Sequence, residues 1–101
     1  MYSLSNINKL GHIGKLAPET MDAFRAWDKL ALSDGAIPKK YKELMAIAVA
    51  LTTQCPYCIE IHRKNAIEAG VTETELAEAV HVAAALRAGG AITHGTHLFE
   101  G

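Results

Sequence analysis

No apolar run in this 101-residue sequence is long enough to span a bilayer; the longest, Met45–Leu51, is far too short. Charge of one sign is also missing. The formal net charge is −1, which removes any electrostatic case for nucleic acid or an anionic membrane. The first residues, Met1-Tyr2-Ser3-Leu4-Ser5-Asn6, have neither a basic nor an apolar signal region, so a cytoplasmic location is expected. Cysteine is scarce as well. There are only two, Cys55 and Cys58, which excludes a disulfide framework. A bridge between residues three apart closes too small a loop to stabilise much. The pair is better explained by reactivity or metal binding than by stapling.

Strand signals are absent too. No stretch alternates with period two, and Gly and Pro are too sparse for hairpins. The fold class is therefore all-α. Half the residues are apolar, an ordinary globular proportion, and the length fits one domain. A core of that size is modest, so self-association is expected.

Residues 1–17 carry weak periodicity and read as an irregular N-terminal arm; residues 18–101 read as the helical domain. Pro18 begins a helix whose Met21, Phe24, Trp27 and Leu30 fall close to one face. That face reads as core or subunit interface. Ser33-Asp34-Gly35 ends the helix. Pro38 opens a second, with Leu44, Ile47, Val49 and Leu51 as its apolar surface. Thr52-Thr53-Gln54 weakens it. Pro56 suits the first turn of a third helix, from about Cys55 to Ala69, stopped by Gly70. Thr72 with Glu75 is a capping box for a fourth. Gly89-Gly90 is expected to break or kink that helix, leaving a short last helix over Ala91–Phe99.

Cys55 and Cys58 lie three apart at a predicted helix start, so their sulfurs are neighbours. A helix N-terminus favours negative charge and so lowers a thiol pKa toward the reactive thiolate. His62 follows Cys58 by four residues, one turn further along the same face. At that distance an imidazole can take or give the thiol proton. Glu43 lies as far before the Thr52–Gln54 turn as His62 lies after it. At ~1.5 Å rise per residue both fall roughly 12–15 Å from the turn, where the carboxylate could orient the imidazole. The expected relay is Glu43, His62 and Cys58, with Cys55 at the helix tip. Tyr57, between the cysteines, is expected to line the access channel.

Simpler readings stand beside this one. The cysteines could be inert small residues. They could also bind zinc with His62 and Glu43, although no second ligand cluster follows. Glu60 falls on another face and reads as solvent-exposed. His81, His94 and His97 read as solvated or interface histidines, and His12 carries no signal.

Glu43, eleven residues, Cys55-Pro56-Tyr57-Cys58, three residues and His62 together resemble the redox members of the alkyl hydroperoxidase D-like proteins, in the carboxymuconolactone decarboxylase superfamily. The flanking Glu-Leu-Met-Ala-Ile-Ala-Val-Ala-Leu and Ala-Ala-Ala-Leu-Arg-Ala-Gly-Gly-Ala resemble it too, and the likeness covers roughly residues 18–97. The resemblance implies an all-α fold assembled as a homo-trimer or homo-hexamer. It also implies thiol-dependent peroxidase or disulfide-reductase activity, with Cys55, Cys58, His62 and Glu43 as its residues. The substrate would be a peroxide or disulfide, the electron donor an external dithiol such as a lipoyl-bearing or thioredoxin-like protein. No tightly bound cofactor or metal is implied. The best-known member has histidine where this chain has Tyr57, whose hydroxyl can hydrogen-bond in its place. The decarboxylase branch does not use a cysteine pair. A decarboxylase-like enzyme on a small carboxylic substrate and a non-catalytic redox sensor remain the alternative functions.

Overall fold

A computed structural model of the chain describes residues 3–101; Met1 and Tyr2, which belong to the N-terminal arm and to the signal-peptide reading, lie outside the described residues. The described residues are all-α, without a strand. A 3-10 helix at Leu4–Lys9 leads into α1 (Leu10–Leu16) and α2 (Pro18–Leu32). Three longer elements follow: α3 (Lys39–Thr53), α4 (Pro56–Glu68) and α5 (Glu73–His94), with a closing 3-10 turn at Gly95–Leu98.

The centre of the molecule is the α3–α4 hairpin with α5 laid against α3. Ile47, Ala66 and Val71 form its buried core, with Leu44, Leu51 and Leu76 packed around them. The hairpin turns at Gln54, which takes the left-handed conformation (φ 57°, ψ 45°). Few non-glycine residues adopt it, and here it lets the chain reverse immediately after α3. Carbonyls in the last turn of α3 accept further hydrogen bonds, from nearby residues and from α5. The Cys55 amide donates to Ala50 O at 3.1 Å, the Thr52 hydroxyl to Val49 O at 2.7 Å, and Arg87 Nη1 to Thr52 O at 2.6 Å. Gly70, at φ 91°, ends α4 in a conformation that a side chain would strain.

Two expectations from the sequence differ from the structure. Residues 4–16 are helical rather than irregular. Gly14 explains part of this: a Cβ there would stand 3.2 Å from Met21 Cγ, so its absence lets α1 lie close on α2. The second difference is at Gly89-Gly90, where α5 continues unbroken to His94. Glycine costs about 1 kcal/mol relative to alanine inside a helix, and the alanine-rich flanks on both sides outweigh two such costs. The Thr72–Glu75 capping box is present in both directions, at 3.2 and 2.9 Å.

The single chain is extended. Its radius of gyration is 16.9 Å, against about 13 Å for a compact domain of ~100 residues. The apolar face of α2 has nothing packed on most of it: Phe24 is 54 % exposed, and Trp27 and Leu30 are each 72 % exposed. These residues are not core. No helix of the described residues is long and apolar enough to cross a membrane.

Candidate functional site: a cysteine pair over a buried carboxylate–histidine couple

Glu43 sits on the second turn of α3 with no exposed surface at all, the only charged side chain among the described residues that is fully buried. A buried carboxylate has to be partnered. Its Oε2 lies 2.8 Å from His62 Nδ1, and its Oε1 lies 3.4 Å from Lys39 Nζ, one turn earlier on α3. The antiparallel hairpin thus brings two residues nineteen apart in sequence into contact. A carboxylate only accepts, so this bond places the hydrogen on Nδ1 and leaves Nε2 of a neutral ring as a proton acceptor.

Cys55 caps α4. Its backbone is extended, and its Sγ accepts the Cys58 amide at 3.2 Å. Pro56 occupies the first helical position, where a missing amide costs nothing. Both thiols are free and half-buried. They titrate in opposite directions. The Cys55 thiol is held below its ordinary value, first by a hydrogen bond from the Cys58 thiol and then by the Cys58 amide. Cys58 is pushed up to about 11, first by that same sulfur–sulfur bond, then by burial and the negative charge of Cys55, with a smaller contribution from Asp28. Of the two, Cys55 is therefore the sulfur that loses its proton more easily, and Cys58 the thiol that hydrogen-bonds to it.

Cys58 and His62 share a hollow of about 300 Å³ between α2, α3 and α4. The three expected relay residues and Cys55 are thus near one another: Glu43 on His62, His62 in one hollow with Cys58, and Cys58 on Cys55. Among the described residues no group of three or more His, Cys, Asp or Glu side chains is arranged to hold a metal ion.

The model of the carboxymuconolactone decarboxylase family matches residues 18–101. The chain belongs to that family. It is 46 % identical over 85 residues to "Uncharacterized protein 4 in cox locus" of Paracoccus denitrificans, an alignment covering 84 % of this chain and 77 % of that one. An uncharacterised protein of Cupriavidus necator is 35 % identical over 80 residues, covering 78 % of this chain and 71 % of its own length. Among solved structures, a carboxymuconolactone decarboxylase family protein from Legionella pneumophila superposes with a TM-score of 0.77 at 35 % identity, covering 81 % of this chain and 73 % of that chain. A protein from Methanobacterium thermoautotrophicum gives a TM-score of 0.80 at 35 % identity, covering 85 % and 97 %.

In this member of the carboxymuconolactone decarboxylase family Tyr57 does not line the Cys58 hollow. Successive helical residues point about 100° apart, and the turn from 57 to 58 carries the ring to another side of α4. There it borders a separate hollow of about 170 Å³ with Asn6, Ile7 and Leu10, and its hydroxyl accepts from Asn6 Nδ2 at 3.1 Å. Glu60 is partly covered rather than fully exposed, 3.8 Å from Lys64. His94 and His97 stack edge to face with ring centres 4.9 Å apart at the exposed end of α5. Two residues at the site escaped the sequence reading. Lys39 stands four before Glu43, a spacing that was legible but indistinguishable from a solvated pair. Asp28 joins the hollow only through the packing of α2, which no local pattern encodes.

Proposed function

We propose that this chain is a thiol-dependent oxidoreductase that reduces a peroxide or a disulfide with the Cys55–Cys58 dithiol. The observation that carries this reading is the 2.8 Å bond between buried Glu43 and His62, in the hollow that also holds Cys58. A structural pair of cysteines has no need of a positioned base.

With a peroxide, the Cys55 thiolate attacks the terminal oxygen, the O–O bond breaks, and the alkoxide leaves and takes a proton from solvent, into which Cys55 had lost its own. Cys55 is then a sulfenic acid. His62 takes the proton of the Cys58 thiol, the new thiolate attacks the Cys55 sulfur, and hydroxide leaves as water with the proton returned by the imidazolium. The peroxide gains two electrons and the dithiol loses two. Glu43 is a positioning residue: it fixes the ring and stabilises the imidazolium between the two transfers. The raised pKa of Cys58 explains why the base serves that cysteine and not Cys55, whose proton is already lost more easily.

The cycle closes when an external dithiol, lipoyl-bearing or thioredoxin-like, reduces the Cys55–Cys58 disulfide. It needs no tightly bound cofactor. The bare α2 face around Trp27 and Leu30 and the extended single chain support self-association; a homo-trimer or homo-hexamer, working in the cytoplasm, is the form proposed. Dihydrolipoamide-dependent consumption of an alkyl hydroperoxide tests the proposal. Turnover by the wild-type chain and its loss in both Cys55→Ser and Cys58→Ser is expected. Turnover that survives either substitution overturns it.

A further inference from the structure

The hollow beside Cys58 is lined largely by small or aliphatic side chains of α2 and α3, among them Leu32, Ala46 and Val49. Asp28 interrupts that wall. Among the described residues lining the hollow it alone carries a permanent charge, and it belongs to none of the ion pairs found among them. Its field reaches the Cys58 sulfur. A neutral aliphatic molecule entering the hollow meets apolar surface. A carboxylate or phosphate entering it meets the negative charge of Asp28, solvent-exposed and screened, at one wall, with no cation among the lining side chains except a protonated His62.

We propose that Asp28 is a specificity-determining residue for molecules that approach the Cys58 sulfur: it turns away thiols and dithiols that carry an anionic group near the reacting atom, and admits uncharged or cationic aliphatic ones. This rests on the dithiol reading for its physiological meaning, but the charge filter itself is a property of the hollow. The class favoured at Cys58 is an aliphatic dithiol whose reacting end is uncharged.

Alkylation reads this without turnover. In the full-length Cys55→Ser chain, Cys58 is the one remaining thiol, and its rates with iodoacetate (anionic) and iodoacetamide (neutral) are measured side by side. Both reagents draw on the same thiolate, so their rate ratio cancels any change in the Cys58 pKa. Adding Asp28→Asn is expected to raise the iodoacetate-to-iodoacetamide ratio about two- to fourfold at low ionic strength, the size of one screened charge–charge contact. The gain should shrink in ~1 M salt, where the Debye length falls to about 3 Å. Asp28→Glu, which keeps the charge, and Glu60→Gln, an acid outside the hollow, should leave the ratio unchanged. An unchanged ratio in Asp28→Asn overturns the filter, as does a Cys58 that neither reagent can alkylate. A shifted ratio in a chain whose wild type shows no dithiol turnover keeps the filter and removes the oxidoreductase reading instead.

Discussion

Replacing Glu43 separates the chemistry of the couple from its contribution to folding. The carboxylate is fully buried and holds His62 at 2.8 Å and Lys39 at 3.4 Å. Glu43→Gln keeps the shape and one acceptor for His62 Nδ1 but removes the charge, and it turns an amide donor toward the Lys39 ammonium. A hydrogen bond to a charged group contributes about 1.5–3 kcal/mol and a neutral one about 0.5–1.5, so the substitution should cost about 1–2 kcal/mol of stability. The Lys39 side of the pair is half exposed, and water replaces that contact at little cost. Glu43→Leu leaves the His62 Nδ1 hydrogen without a partner in a mostly covered position. It should cost about 1–3 kcal/mol, the penalty of one unsatisfied polar group. The loss of rate should be much larger. A positioned acid–base group is worth about 10²–10⁴-fold, and a ring that is neither oriented nor stabilised as imidazolium forfeits most of that. Urea unfolding gives the first quantity and single-turnover oxidation of the dithiol by a hydroperoxide gives the second. A Glu43→Leu chain that stays folded and oxidises within about twofold of wild type would refute the relay, because a base worth at least ~10²-fold cannot lose both its orientation and its counter-charge so cheaply.

Three further outcomes follow from the same geometry. The pH midpoint for alkylation of Cys55 by iodoacetamide should lie below that of an ordinary thiol, and Cys58→Ala should move it upward, because the hydrogen bond from Cys58 is the largest influence holding it down. The sign is fixed by which form that bond favours: it stabilises the Cys55 thiolate, so reactivity persists to lower pH when Cys58 is present. Gln54→Gly should stabilise the chain by about 0.5–1 kcal/mol, read as a raised urea midpoint, because glycine takes the left-handed conformation without steric cost. Thr72→Ala removes the acceptor for the Glu75 amide and should cost about 1 kcal/mol in the same assay.

Much of the helical layout was written locally, where a residue type marks a boundary. Pro18, Pro56 and the Thr72–Glu75 box stand at the starts of α2, α4 and α5, and Ser33 and Gly70 stand just past helix ends. Pro38 caps α3 rather than opening it, a one-residue difference of the kind helix ends allow. The Glu43–His62 contact was legible because a tight turn between antiparallel helices makes equal distances from the turn equal depths. Legibility failed where tertiary packing decides. The 4–16 segment has no clear periodicity of its own, and its contacts with α2 and with Tyr57 come from distant parts of the chain. The Gly89-Gly90 pair carries the local signal of a break, and the helix-favouring alanines around it override that signal. Phe24, Trp27 and Leu30 lie on the helical face that their spacing marks, yet the single chain leaves that face bare. Asp28 could not be placed beside Cys58 until α2 was packed against the hairpin.

The most direct test of the central claim is the stoichiometry of one turnover. The fully reduced chain is mixed with an equimolar alkyl hydroperoxide, and thiols, peroxide and protein mass are followed together. The account predicts that one peroxide is consumed as both thiols disappear, and that a peptide map shows Cys55 joined to Cys58 within the same chain. Peroxide left unconsumed, or thiols lost to sulfinic acid or to bridges between chains instead, would contradict it.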